Sequence, residues 1–136
     1  MPFIEKANGK VLVFGLGLGM VAQALAAKTD VHTITVVELD QELVDMVGTY
    51  YENYSSKIKI IQGNAFTYHD SKSYDAIWFD IWDTISSDNL PEMDLLKKRW
   101  KKKAPIRMCW AEKDCRWMKK NGPPLDLPLL LFKTYF

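Results

Sequence analysis

The chain has 136 residues, of which 48% are hydrophobic and 26% are charged, with a formal net charge of +1. This length is typical of one domain with one core, and the composition is that of a globular protein in water. No apolar run approaches the roughly 18 residues of a membrane-spanning helix, so we expect no membrane partner.

The N-terminal residues and the cysteines predict a cytoplasmic location. The opening sequence MPFIEKANGK has no basic flank followed by a long apolar stretch, which a secretory signal would show. Cys109 and Cys115 do not form a paired framework, and with only His32 and His69 they show no zinc-binding spacing. We therefore expect free thiols in a reducing compartment and no metal site.

The small net charge conceals two oppositely charged parts. Residues 1–96 carry a net charge of −8, and residues 97–136 carry +9. Such a division indicates that the two parts face different partners, or that they face each other across a subunit interface. A homodimer through the basic or apolar C-terminal segment is therefore one expectation.

The first 80 residues alternate between strand and helix patterns. Four apolar or β-branched runs predict strands, at residues 11–14, 32–39, 57–63 and 74–80. Helical patterns separate the first three of these runs, over residues 20–28 and after Asp40, which is a suitable N-cap. This order implies right-handed crossovers and a parallel sheet covered on both faces, so we predict an α/β fold.

The pattern is weaker after residue 86. A helix is predicted to begin near Asn89, and another to cover residues 111–122 and end at Gly122. Residues 104–110 fit either a fifth strand or part of a helix. The apolar residues 123–136 fit an edge strand, a packing arm or a dimer contact.

Three glycines follow the first predicted strand in the sequence VLVFGLGLGM. Gly15, Gly17 and Gly19 lack the Cβ that would block a ligand from the main chain, and the following helix has no side-chain cap at its start. An anionic group of a bound nucleotide-type ligand would suit this place. The alternative is a tight turn with close packing between strand and helix.

The glycine spacing resembles the first motif of class I S-adenosylmethionine-dependent methyltransferases. The dinucleotide fingerprint G-x-G-x-x-G would need a glycine or alanine where Met20 stands. Three further stretches agree with the methyltransferase family in order and placement, namely VVELD (36–40), QGNAF (62–66) and YDAIWFDIWD (74–83).

The resemblance implies a role for each motif. The glycines would hold the methionine part of S-adenosylmethionine, while Glu38 with Leu39 beside it would bind the ribose hydroxyls. Asn64 and the main chain of Ala65 would meet the adenine edge. Asp80 would lie beside the reactive sulfonium, at the carboxyl end of a central strand.

Asp80 and Asp83 form a second resemblance. Their Asp-x-x-Asp spacing is similar to that of spermidine synthase-like aminopropyltransferases, whose acids hold and deprotonate an amine. We therefore predict Asp80 and Asp83 as catalytic residues.

The family also implies a fold and its limits. It predicts a Rossmann-like three-layer α/β/α sandwich with strand order 3-2-1-4 and a possible fifth strand. The cofactor half would cover about residues 8–100, followed by a basic C-terminal segment at 101–136 within one domain, 1–136. Fewer than 40 residues follow KKK (101–103), too few for the whole set of a fifth, sixth and seventh strand, so we expect a truncated methyltransferase fold.

The predicted function is that of an S-adenosylmethionine-dependent transferase with S-adenosylhomocysteine as product. It would methylate an amine or another small or nucleic-acid acceptor. The alternatives are a non-catalytic S-adenosylmethionine- or nucleoside-binding protein, an aminopropyltransferase, a nicotinamide-dependent oxidoreductase and a basic nucleic-acid-binding adaptor. The last rests on KKRWKKK (97–103), with tryptophans for stacking on bases at positions 100, 110 and 117. The helix dipole also favours cations at a helix C-terminus, so we interpret the same stretch as a solvated helix face with buried tryptophans.

Overall fold

The computed structural model describes residues 1–122, and the predicted arm or edge strand at 123–136 lies outside them. Five parallel strands form one sheet in the order β3-β2-β1-β4-β5. Their bounds are β1 Gly9–Phe14, β2 Val31–Glu38, β3 Ile58–Gln62, β4 Ala76–Phe79 and β5 Ile106–Cys109. The predicted Rossmann-like strand order is confirmed, and residues 104–110 contain a strand rather than a helix.

Within residues 1–122, five helices and one 3₁₀ turn cover the sheet. Their bounds are α1 Pro2–Lys6, α2 Met20–Ala26, α3 Gln41–Tyr54, the 3₁₀ turn Ser87–Asn89, α4 Leu90–Arg99 and α5 Glu112–Asn121. The sequence did not predict α1, because five residues are too few to show helical periodicity. The fold nevertheless needs it, since the Phe3 ring is fully buried 5.2 Å from the ring of Trp78.

The two faces of the sheet have separate hydrophobic cores. Val11 and Val13 of β1 face the core that holds residues of α1, α2 and α3. Leu12 and Phe14, which alternate with them, face the core that holds residues of α4 and α5. Strand periodicity thus sends successive side chains of β1 into opposite layers, and both faces are covered as predicted.

The connection between β3 and β4, residues 63–75, crosses the sheet without a helix. The hydroxyls of Tyr68 and Tyr74 donate hydrogen bonds to the carboxylate of Asp70, at 2.9 and 2.6 Å. The amide of Lys72 donates to the same carboxylate, and the Lys103 ammonium donates to the Asp70 carbonyl. We call these contacts the Asp70 network.

The Asp70 network shifts the pKa values of the groups that form it. Burial by itself would raise the pKa of Asp70, but hydrogen bonds from Tyr74, Tyr68 and the Lys72 amide outweigh it and hold the pKa below its ordinary value. Burial, followed by the bond to Asp70, raises the pKa of Tyr68 to about 12. Asp70 therefore stays an anionic acceptor at neutral pH, and the tyrosines stay donors.

Candidate functional site

A cleft of about 500 Å³ opens at the carboxyl ends of β1, β2, β3 and β4. It brings together eight of the nine residues that the sequence indicated, namely Gly15, Gly17, Glu38, Leu39, Asn64, Ala65, Asp80 and Asp83. Gly19 does not line it and is instead the N-cap residue of α2. The other lining residues are Val37, Asp40, Leu43, Gly63, Phe66 and Ile81.

The glycine loop, residues 15–19, has a main-chain shape that favours glycine. Gly15, Gly17 and Gly19 have φ values of +99°, +54° and +75°. A Cβ on Gly15 would lie 2.2 Å from the carbonyl oxygen of Asp80, and one on Gly19 would overlap the ring of Tyr51. Close packing therefore explains Gly15 and Gly19. Gly17 combines a left-handed φ with a place in the lining of the cleft.

Glu38 ties the glycine loop to the second strand. One carboxylate oxygen accepts a hydrogen bond from the Leu16 amide at 2.8 Å, and the other accepts from the Asp40 amide at 2.9 Å. A carboxylate oxygen can accept more than one hydrogen bond. Glu38 can therefore hold the loop and still accept hydrogen bonds from the hydroxyl groups of a ligand in the cleft.

Asn64 shapes the turn that follows β3. Its side-chain oxygen accepts from the Phe66 amide at 2.8 Å, and its carbonyl accepts from the amides of Thr67 and Tyr68. The acceptor that the sequence suggested for adenine is therefore already engaged in the turn. Within residues 1–122 the neighbouring Ala65 amide donates no hydrogen bond, so it is the better-placed polar group.

Asp80 and Asp83 differ in depth. Asp80 is only 7% exposed and follows β4, where its amide donates to the Phe14 carbonyl at 2.8 Å. Asp83 is exposed at the mouth of the cleft. Trp82 between them is buried in the core and donates its indole N–H to Glu92. The loop thus places both predicted acids at the cleft and sends the tryptophan away from it.

The cleft is acidic. Its four ionisable lining residues among those described are Glu38, Asp40, Asp80 and Asp83. No lysine, arginine or histidine of residues 1–122 lines it. Within the same residues no group of histidine, cysteine and acidic side chains could hold a metal ion.

Three of the six cations in the basic stretch of residues 97–103 bond to other parts of the fold, while Lys98, Lys101 and Lys102 are exposed. Arg99 donates to the carbonyls of Phe66 and Tyr68, and Lys103 donates to Asp70. Lys97 pairs with Glu112 at 2.8 Å. Trp100 is 2% exposed because its ring packs against Phe14, Tyr68 and Tyr74, so this tryptophan is buried in the core and the alternative in which it stacks on bases is wrong. Trp110 is partly buried, while Trp117 is half exposed.

Nothing in the sequence indicated that two residues beside the cleft support its walls. Tyr51 of α3 donates its hydroxyl to the Leu18 carbonyl, and Arg99 of α4 reaches the turn after β3. Each partner is more than 30 residues away in the chain. Helical periodicity indicates which residues are buried, but it does not identify a loop carbonyl as the partner of a distant side chain.

Solved structures of similar fold include several methyltransferases. The "DhpI-SAH complex structure" matches with a TM-score of 0.57 and 15% identity, over 76% of this chain and 47% of that one. The "DhpI-SAM-HEP complex" gives 0.56 and 14%, over 86% and 55%. An S-adenosylmethionine-dependent methyltransferase from Clostridium acetobutylicum ATCC 824 gives 0.53 and 17%, over 77% and 41%. This chain therefore spans about half of the length of these structures or less.

Sequence comparison is more specific than the structural likeness, which at these identities shows the fold alone. No curated protein matches the chain in sequence. In contrast, the family described as "Methyltransferase small domain" matches residues 1–79, which include the glycine loop, Glu38, Asn64 and β4. More than half of the chain is covered, and the predicted kinship with class I methyltransferases is thereby confirmed, whereas the spermidine synthase-like features stay a prediction. The chain belongs to the methyltransferase small domain family.

Proposed function

We propose that the chain binds S-adenosylmethionine in the cleft and transfers its methyl group to an amine, with S-adenosylhomocysteine as product. The observation that carries this proposal is the meeting of Gly17, Glu38 and Asp80 at one cleft. The family match supports methyl transfer, and the SAH and SAM complexes among the matched structures support the cofactor.

The lining residues fit the parts of the cofactor. Main chain at Gly15 and Gly17 would receive the methionine part, with Gly19 shaping the loop from outside. The remaining lone pairs of the Glu38 carboxylate would accept hydrogen bonds from the ribose hydroxyls, and Leu39 would pack against the ribose. The turn of Asn64 would receive adenine, through the amide of Ala65. When bound, S-adenosylmethionine supplies a methyl carbon that its sulfonium already activates.

The charge of the cleft supports an amine as acceptor. Four carboxylates and no cationic side chain of residues 1–122 line it, so a neutral or positively charged acceptor is attracted and a polyanion is repelled. Asp80 would orient the amine and take up its proton, and Asp83 would guide the amine at the mouth. Alignment supplies most of the acceleration, and a general base adds roughly 10²–10⁴-fold.

Calorimetry followed by a transfer assay tests this function. We expect the wild-type protein to bind S-adenosylmethionine and to methylate members of a polyamine or protein-amine pool rather than nucleic acid. Gly17→Val should abolish binding. Asp80→Asn should keep binding and lose roughly 10²-fold or more of the turnover. Binding without turnover on any pool would instead support a non-catalytic S-adenosylmethionine-binding protein.

Aminopropyl transfer is a second candidate. Asp80 and Asp83 both line the cleft, and their spacing resembles that of aminopropyltransferases. Decarboxylated S-adenosylmethionine distinguishes the two reactions, because an aminopropyltransferase uses it as donor and a methyltransferase requires the carboxylated form. Turnover with the decarboxylated donor alone would replace methyl transfer by aminopropyl transfer. Reduced nicotinamide cofactor, added in the same titration, tests the oxidoreductase alternative.

A cytoplasmic location remains part of the proposal. Among residues 1–122 no helix has the length and apolar character needed to cross a bilayer. Cys109 and Cys115 are free and buried, and burial, with Glu112 nearby, raises the pKa of the Cys109 thiol to about 12. Such thiols suit a reducing compartment, which fractionation of cells expressing the protein would test.

A further inference from the structure

Two side chains outside the cleft hold its two walls. One wall is the glycine loop, residues 15–19, and the other is the turn after β3, residues 64–68. Tyr51 of α3 contacts the first wall and Arg99 of α4 contacts the second. Neither side chain lines the cleft, so any influence they have on a ligand passes through the main chain that they hold.

Tyr51 fixes the tip of the glycine loop. Its hydroxyl donates a 2.5 Å hydrogen bond to the Leu18 carbonyl, and its ring occupies the space into which a Cβ on Gly19 would project. The Leu18 side chain is 60% exposed, so it contributes little packing to hold the tip. Burial, followed by the neighbouring Tyr50, raises the pKa of Tyr51, so the hydroxyl remains a donor at neutral pH.

Arg99 fixes the turn after β3. Its guanidinium donates to the carbonyls of Phe66 and Tyr68, two residues apart on the turn that begins with Asn64 and Ala65. A planar guanidinium can bridge two acceptors at once, whereas the ammonium of a lysine is a single point charge. Within the turn the Asn64 side chain bonds the Phe66 amide, and the Tyr68 hydroxyl bonds Asp70. Arg99 is therefore the outer support of this wall.

We propose that Tyr51 and Arg99 are positioning residues for the cofactor. Tyr51 sets the wall that receives the amino-acid part, and Arg99 sets the wall that receives adenine. This inference rests on the proposed function, because it assigns the two walls to the two ends of S-adenosylmethionine. It gives a structural role to a residue of the basic stretch that nucleic-acid binding would otherwise explain.

The test compares two ligands by calorimetry. S-adenosylhomocysteine has both ends of the cofactor, and methylthioadenosine has the nucleoside and sulfur without the amino acid. Tyr51→Phe removes one hydrogen bond, so the affinity for S-adenosylhomocysteine should fall about fivefold, while that for methylthioadenosine stays within about twofold. Arg99→Met should lower the affinity for both ligands about tenfold. Arg99→Lys should retain only part of the affinity that Arg99→Met loses.

Each variant has a matched control on the same helix. Tyr50→Phe removes a hydroxyl from the exposed neighbour of Tyr51, and Lys98→Met removes a charge from the exposed neighbour of Arg99. Both controls should bind the two ligands as the wild type does. Thermal unfolding of the ligand-free variants shows whether each is folded at the titration temperature.

The outcomes separate this inference from the function beneath it. The inference is supported if Tyr51→Phe loses affinity for S-adenosylhomocysteine alone and Arg99→Met loses affinity for both ligands. Wild-type affinities in both folded variants would overturn it and leave the proposed function standing. An equal loss of affinity for both ligands in Tyr51→Phe would also overturn the inference, since the hydroxyl would then stabilise the whole cleft rather than the wall that receives the amino-acid part. A wild-type protein that binds neither ligand would overturn the proposed function itself.

Discussion

The two walls of the cleft are built by different physical means. The glycine loop takes its shape from main-chain geometry, with three positive φ values and a strand end packed directly against Gly15. The connection at 63–75 has no helix, and its shape depends on the Asp70 network and on Arg99. A short segment can be fixed by glycines, whose missing side chains allow the main chain to pack closely. A longer segment without a helix needs polar side chains from distant elements to form hydrogen bonds with its main-chain groups.

Gly15→Ala should be the most damaging single change to the first wall. It places a methyl group 2.2 Å from the Asp80 carbonyl and forces alanine to a φ of +99°. We expect the free energy of unfolding to fall by about 3 kcal/mol, from strain and overpacking together. Urea denaturation followed by tryptophan fluorescence measures it.

Gly122→Ala is the control for the glycine loop. Gly122 also has a positive φ, +79°, but an added Cβ would meet no atom of residues 1–122 within 4 Å. Strain alone should lower the free energy of unfolding by about 1 kcal/mol. Equal effects of the two substitutions would mean that contact with Asp80 does not restrict position 15.

Glu38→Ala tests the side chain that joins the first wall to the second strand. It removes the acceptor of the Leu16 and Asp40 amides together with the proposed partner of the ribose. We expect the affinity for S-adenosylmethionine to fall about 100-fold in calorimetry, since charged hydrogen bonds are the stronger kind. Glu38→Gln keeps an acceptor oxygen and should lose less affinity than Glu38→Ala. A wild-type dissociation constant in both variants would show that Glu38 does not bind the ligand.

Asp70→Asn should weaken the second wall in a pH-dependent way. The carboxylate accepts two tyrosine hydroxyls and one amide, so its neutralisation should lower the free energy of unfolding by about 2 kcal/mol at pH 7. The folded-state pKa of Asp70 is lowered, so the stabilisation is complete above the unfolded pKa of about 3.9 and is lost as pH falls through the folded value.

Denaturation at several pH values checks this prediction. The difference between wild type and Asp70→Asn should be constant near neutrality and shrink under acid conditions. On the alkaline side the pKa of Tyr68 is raised from 10.0 to about 12, so its contribution is present below 10 and is lost as pH rises toward 12. A difference that stays the same down to pH 2 would show that the charge of Asp70 is not what holds the connection. The surface variant Asp114→Asn serves as the control, because its carboxylate accepts no hydrogen bond within residues 1–122 and it is exposed.

Local patterns were enough to predict the sheet and the cleft. Apolar runs and helical spacing identified four strands in order, and right-handed crossovers then bring the carboxyl ends of parallel strands to one edge. Glu38, Asn64 and Asp80 each stand at or just after such an end, so their meeting could be predicted without knowing any contact. The strand Ile106–Cys109 could not be distinguished from part of a helix, because a mainly apolar stretch this short shows neither periodicity.

The sequence by itself indicated eight residues that reach the cleft, since chain order and strand direction fix that edge of the sheet. Only the tertiary structure decided what each residue does there. Gly15 and Gly19 make room for Asp80 and Tyr51, the Asn64 oxygen bonds its own turn, and Arg99 supports a loop. The physical reason is that a hydrogen bond or a close contact depends on which atom lies within a few ångströms, and most of those atoms belong to residues far away along the chain.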